Sequence, residues 1–338
     1  MKTADLDFPY PEELVATSPS RPTRVMRVTG GEPEEITLAE LLASIPAGDA
    51  LVLNDTKVLK RRVFAGDLEI LFLSPVAGFD RRWQVLFPSK KFPVGSVIGL
   101  PGGRRMTLVQ KGRPQIVEVD AELDESYFER AAELPLPPYI QKARHERHNV
   151  PSDDRWYQTA WAARPGSFAA PTASLHFSAG DLRDLRERGV EIHTITLHVG
   201  LGTFLPVTAE DLDRHEMHSE WAEIPPGVAR AVRRAQERGA GVWALGTTVT
   251  RTLESAALGK LAGDWDQGFQ GFTDLLIQPG HEWRVVNRLL TNFHQPKSTL
   301  LALVAAFAGL PAVKACYPWA IRRKFRLFSY GDLSVWTR

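Results

Sequence analysis

One cysteine, Cys316, occurs in 338 residues. A lone thiol excludes an internal disulfide and any zinc site built on several thiolates, and it fits a reducing cytoplasm. Long apolar runs are also missing. The longest, Leu300 to Ala308, is far short of the roughly 20 residues a membrane span needs, and no apolar signal core opens the N-terminus. Charge of one sign is lacking too: 41 Lys and Arg stand against 40 Asp and Glu, a net charge of +1. Any nucleic-acid surface must therefore be a local patch. No Gly-x-Ser-x-Gly elbow and no Gly-x-x-x-x-Gly-Lys-Ser/Thr loop occurs, which argues against a serine hydrolase and a P-loop nucleotidase.

What is present is a dense stretch from Gly166 to Glu220, where small residues and hydroxyls accompany five of the nine histidines. Small residues let backbone approach a ligand closely, and histidines carry protons near neutral pH. His215 and His218 with Glu220 lack a third metal ligand and the His-Glu-x-x-His order, so no metal is expected. Gly200-Leu-Gly202 lacks the third glycine of a dinucleotide loop and reads as a turn or as a loop pressed against a ligand. A period of two along Val190–Val199 puts His193 and His198 on opposite faces of one strand.

Periodicity divides the chain. Ala50–Leu53 is a buried strand ending in Asn54-Asp-Thr56, either an Asx turn or a ligand contact. From about Lys57 to Asp120, short runs at Leu68–Leu73, Trp83–Phe87, Ser96–Leu100, Met106–Val109 and Ile116–Val119 predict a small antiparallel barrel or sandwich. Gln141 to Asp154 reads as a linker. Helix and strand then alternate, with Thr37 and Ser178 as N-caps and Pro226 opening a helix. Val242–Leu245 runs into Gly246-Thr-Thr248, either an anion-binding helix start or a capped one. Leu275–Ile277 reads as a further buried strand, and Thr299–Ala308 as a core helix, apolar on nearly all sides. The residues alone imply an α/β enzyme with a small-molecule site rich in His and Thr.

Many of these segments, in one order, resemble the S-adenosylmethionine:tRNA ribosyltransferase-isomerase family of queuosine biosynthesis. They include Asn54-Asp-Thr56, Pro135–Ile140, Tyr157-Gln-Thr159, Ala170-Pro-Thr172, Leu175-His-Phe177, Thr196–Gly200 and Gly202-Thr-Phe204. His215-Glu-Met-His218, Gly246-Thr-Thr248, Thr291–His294 and Phe328–Asp332 complete the set. The chain departs from the family's usual residues at Lys60, Arg61, Ser174, Asn287 and Gln295.

The resemblance implies a mixed-sheet α/β domain formed by both chain ends, 1–56 and 151–338, with a small antiparallel β-barrel and linker, 57–150, inserted. It implies transfer and isomerisation of the ribosyl group of S-adenosylmethionine onto a 7-aminomethyl-7-deazaguanine at the tRNA wobble position, releasing adenine and methionine. S-adenosylmethionine is then a co-substrate, and no permanent cofactor is implied. The expected partner is tRNA, and the expected state a cytoplasmic monomer. His176 and His198 are the expected proton carriers, with Glu220 or Asp332 receiving the sulfonium or the amine. Expected substrate contacts are Asp55, Thr172, Ser174, Gly200, Gly202, Thr203, His215, His218, Thr247, Thr248, Asn292 and His294. Lys57, Arg61, Arg62, Arg322 and Arg323 are the expected tRNA contacts. The alternatives are a methyltransferase using the same co-substrate and a non-catalytic tRNA-binding protein.

Overall fold

Strand burial alternates so that each central strand feeds two cores. The computed structural model describes residues 1–200, 202 and 207–338. The chain opens with β1 (Arg24–Thr29), β2 (Glu32–Thr37), α1 (Leu38–Ser44), β3 (Ala50–Asn54) and β4 (Thr56–Val58). Next come β5 (Arg62–Ala65), β6 (Leu68–Pro75), β7 (Arg82–Leu86), β8 (Val97–Leu100), β9 (Arg104–Gln110), β10 (Gln115–Val119), α2 (Glu125–Ala131) and β11 (Ala132–Glu133). Short helices α3 (Pro138–Arg144) and α4 (Asp153–Trp156) lead to β12 (Arg164–Ser167), α5 (Ala179–Glu187), β13 (Glu191–Leu197) and β14 (Glu220–Ile224). The chain then forms α6 (Pro226–Glu237), β15 (Val242–Leu245), α7 (Thr247–Ala257), β16 (Ala262–Asp264), β17 (Gly268–Thr273) and β18 (Arg288–Asn292). It closes with α8 (Thr299–Ala308), α9 (Leu310–Arg322) and β19 (Leu333–Thr337).

Two compact units result. The larger holds Met1–Val58, Pro137–Glu146 and Arg155–Arg338, the smaller Leu59–Leu136 and Arg147–Asp154. Residues 137–146, read from the sequence within the insert, thus belong to the larger unit.

In the larger unit a mixed ten-stranded sheet runs β16-β17-β14-β13-β3-β15-β18-β19-β1-β2. β13, β3, β15 and β18 are mutually parallel. Ala50 and Val52 join one core, shared with residues of α6 to α9, while Leu51 and Leu53 join another with Leu41, Leu182 and Leu185 of α1 and α5. Burying both faces of the central strands is why they read as continuous apolar runs. The caps form as expected: Thr37 pairs with Glu40 and Ser178 with Asp181 in capping boxes. α8 and α9 meet at a 112° bend, and among the described residues no single helix is long and apolar enough to cross a membrane. Gly309 makes that bend at φ +86, a conformation that disfavours a side chain.

One expectation fails here. Leu275 and Ile277 are buried but belong to no strand; the neighbouring sheet strand is β17. An apolar triplet reports burial, whereas the strand itself, Gly-Phe-Gln-Gly-Phe-Thr, is broken by glycines.

The smaller unit is one antiparallel seven-stranded sheet, β11-β5-β6-β7-β10-β9-β8. It curls around Phe72, Trp83 and Phe128, which meet edge to face. The expected barrel is therefore a half-barrel: among the described residues no ladder joins its first and last strands.

Candidate active site

In open α/β sheets, ligands gather beyond the carboxyl ends of parallel strands. Here those ends carry Asn54 and Asp55 after β3, His198 after β13, Gly246 after β15 and Asn292 on β18. Asn54 is fully buried and ties three elements together. Its Oδ1 accepts from the backbone of Thr56 and Leu197, each at 3.1 Å, and its amide donates to the Leu197 carbonyl and to Thr248 Oγ1.

His198 is the chemically open group. Its Nδ1 pairs with Thr56 Oγ1 at 2.7 Å, while Nε2 has no hydrogen bond among the described residues. Gly166 lies flat beneath the ring: a Cβ there would fall 2.7 Å from His198 Cε1. Burial lowers the imidazole's pKa, only partly offset by the carboxylate of Asp55. His198 is therefore a neutral, oriented base near pH 7. Asp55 is itself held by Thr196, whose hydroxyl donates to Oδ1 at 2.7 Å. The Gly166–Phe177 and Thr196–Gly200 segments are laced together as well. Phe168 donates to the Val199 carbonyl and Val199 to Ser167 Oγ, both at 2.9 Å.

His176 is different. The Phe328 carbonyl can only accept, so the Asn292 amide nitrogen must face it, at 3.1 Å. The same nitrogen faces His176 Nε2 at 3.1 Å, which makes Nε2 the unprotonated ring nitrogen. Asn292 Oδ1 then accepts from Thr172 at 2.9 Å, and His176 Nδ1 donates to Thr23 Oγ1 at 3.1 Å. Burial, helped by Arg21 and Arg326, pushes the pKa down to about 3. With both nitrogens engaged and the residue 7 % exposed, His176 holds Asn292 and, through it, Thr172.

The two carboxylates are engaged within the protein as well. Glu220 is buried, with Oε1 accepting the Gly200 N–H at 2.8 Å and Oε2 paired with Arg251. Asp332 accepts from the backbone of Arg326 and Arg24, at 2.8 and 3.4 Å. Burial raises its pKa against the pull of those donors and of both arginines. Both groups hold backbone in place.

The remaining expected contacts scatter. Thr247 and Thr248 open α7, close to Ala173 through Gly246. Ser174 is fully buried, and its hydroxyl has no partner among the described residues. His294 bonds Thr291 Oγ1 at 2.8 Å and is pushed by burial down to about 3. Gly202 passes close to His218, whose ring would lie 3.0 Å from a Cβ, while burial and then His218 lower the pKa of His215. Thr203 lies outside the described residues. Among the described residues no group of three His, Cys, Asp or Glu side chains could hold a metal.

The basic residues divide. Lys57, Arg322 and Arg323 are exposed. Arg61 and Arg62 are buried in the smaller unit, paired with Glu125 and Glu133, and Arg62 also meets Asn149 Oδ1 at 2.6 Å. Both guanidinium groups are thus engaged within the smaller unit. Sequence reasoning missed Thr23, Thr56 as the partner of His198, and Arg251. Thr56 closes the Asn54-Asp-Thr56 triplet and could have been found there; no sequence signal marks the other two.

Backbone strands that deliver hydroxyls, an amide and a neutral imidazole to one sheet edge define an α/β ligand-binding domain, in a chain that also forms a separate half-barrel. The chain belongs to the queuosine biosynthesis protein family, whose model matches residues 3–335. It is 40% identical to an S-adenosylmethionine:tRNA ribosyltransferase-isomerase of Halothermothrix orenii, covering 98% of each chain. A protein of that name from Anaeromyxobacter dehalogenans is 41% identical over 100% of both. The crystal structure of the S-adenosylmethionine tRNA ribosyltransferase of Thermotoga maritima matches with a TM-score of 0.55 at 27% identity, over 98% of this chain and 99% of that one.

Proposed function

We propose that this chain moves the ribosyl group of S-adenosylmethionine onto the aminomethyl group of 7-aminomethyl-7-deazaguanine at the tRNA wobble position, isomerising it to the epoxycyclopentanediol and releasing adenine and methionine. The names of its relatives, matched over nearly the whole chain, support the reaction class. The observation that carries the assignment to a site is His198: neutral, oriented by Thr56 and Gly166, and open at Nε2. The sulfonium acidifies the ribose carbon beside it, so the reaction needs a base there, and His198 fills that role. Thr172, set by Asn292 and His176, orients the substrate at another strand end. β13 and β18 are three strand spacings apart, about 14 Å at the backbone. His198 and the Asn292 group therefore address different ends of an extended co-substrate rather than one reacting atom. The single buried thiol, raised by burial to about 11, supports a cytoplasmic setting where it stays reduced.

Incubating the protein with S-adenosylmethionine and precursor-bearing tRNA should release adenine and methionine. His198→Gln should lower turnover by about 100-fold or more, the range expected when a general base is lost. Release of S-adenosylhomocysteine would instead identify a methyltransferase. Binding of tRNA without consumption of co-substrate would identify a non-catalytic binding protein.

A further inference from the structure

Beside His198 the described residues give the sheet one covering layer. On β14 and β17, Ala222, Ile224 and Phe269 join the core under α6 and α7. The second core, which covers the other face of the central strands, includes no residue of β14 or β17. On that other face Trp221 and Glu223 are half-buried and Phe272 is exposed. Strand register identifies them: Thr196 sits opposite Glu223, the His198 N–H donates to the Trp221 carbonyl at 2.9 Å, and Trp221 sits opposite Phe272. Paired residues share a face, so Thr196, His198, Trp221, Glu223 and Phe272 form one continuous surface.

Two of them are large aromatics. Trp221 and Phe272 meet edge to face with centroids 5.3 Å apart. Phe272 is 65 % exposed, the most exposed of the large apolar side chains among the described residues. A ring left in water beside a candidate catalytic base needs an explanation, because isolated core packing would have covered it.

We propose that Trp221 and Phe272 form a stacking platform for an unpaired nucleobase of the RNA substrate, next to the base being modified. The inference rests on the function proposed above. Position supports it: Phe272 lies two strands from His198, about 10 Å at the backbone. Charge supports it as well. Exposed Lys57 lies on the β4–β12 ladder and carries no ion pair among the described residues, whereas Arg164 on the same ladder is paired with Glu223. Aromatic rings interleaved with cations are how proteins hold single-stranded RNA: the rings take the bases and the cations take the phosphates.

The test uses the full-length protein and an anticodon stem-loop RNA, with binding measured in the absence of S-adenosylmethionine. Phe272→Ala should weaken RNA binding by about 5- to 150-fold, the loss expected for one base stack, and leave the KM for S-adenosylmethionine unchanged. Phe272→Trp should keep binding, and Phe272→Leu should not restore it. Because Phe272 is largely exposed, these variants remove little core packing, and unchanged unfolding midpoints would verify that. The proposal is overturned if Phe272→Ala binds RNA normally, or if Phe272→Leu binds as well as the parent. A change confined to the KM for S-adenosylmethionine also overturns it, since the platform would then hold the adenine of the co-substrate. If the parent releases no adenine yet Phe272→Ala still weakens RNA binding, the proposed reaction fails and the platform stands.

Discussion

His198 takes up the space that a side chain on Gly166 would fill. Ring atoms Cε1, Cδ2 and Cγ all lie within 2.8 Å of where a Cβ would sit, closer than real contacts allow. Among the described residues only Thr56 tethers the imidazole, so Gly166→Ala should tilt the ring rather than unfold the chain. A displacement of that size costs about 100-fold in rate. Adenine release should fall by that factor while RNA binding holds. The sequence marked His176 and His198 alike, because residue type and neighbours are all it carries. Partners separate them, and those partners are 116 to 153 residues away for His176. The same residue yields a pH prediction. Folded His176 and His294 sit near 3 against an ordinary 6.5, so the native state binds fewer protons below that value. Their stabilisation is complete above pH 6.5 and is lost as pH falls from 6.5 toward 3. Each should contribute a loss of about 2 kcal/mol between pH 6.5 and 5. His176→Gln should therefore show a pH dependence about 2 kcal/mol shallower than the parent in urea titrations at those two values. Equal slopes would mean that His176 is not held neutral.

At the scale of elements, α7 shows what an apolar pattern hides. Its Glu254 is fully buried, and burial alone would raise its pKa. His281 and the backbone N–H groups of Val286, Arg284 and Val285 together outweigh that effect and lower it. Oε1 accepts from Val285 and Val286 at 3.0 and 2.9 Å, and Oε2 from Arg284 at 3.0 Å. One carboxylate thus pins the approach to β18, the strand that presents Asn292. Glu254→Gln turns one acceptor into a donor facing a buried N–H, which should cost about 2 kcal/mol. A denaturant midpoint lowered at constant m would report it. Strands of the half-barrel were legible because β6, β7, β9 and β10 alternate buried and exposed residues between turn signals. β14 and β17 were not. Glu220 looked like site chemistry, and two glycines interrupt β17, so neither carried a plain strand period. That edge is where the aromatic platform lies.

For the whole molecule, a net charge of +1 means that binding to a polyanion depends on which cations are free, not on how many exist. The five basic positions singled out in the sequence differ in this respect. Arg61 and Arg62 are consumed inside the smaller unit, Arg62 by Glu133, Asn149 and the Arg147 carbonyl. Lys57 and Arg322 are exposed and carry no ion pair among the described residues. Spacing could not reveal this, because Lys57 and Arg61 are four apart in the chain yet differ in burial. Salt titration separates the two kinds. Removing one cation that neutralises a phosphate should reduce the slope of log K against log salt by about 0.7 to 0.9. Lys57→Ala and Arg322→Ala should each produce such a reduction while leaving the unfolding midpoint in place. Arg62→Ala should leave the slope unchanged and destabilise the smaller unit by about 1 to 3 kcal/mol, since it removes a buried side chain and one partner of Glu133, which keeps His148 and the Asn149 N–H. Hydrogen exchange would then rise across residues 59–136 and 147–154 and stay at the parent level in the ten-stranded sheet. An Arg62 variant that lowered the salt slope instead would return that guanidinium to the RNA surface.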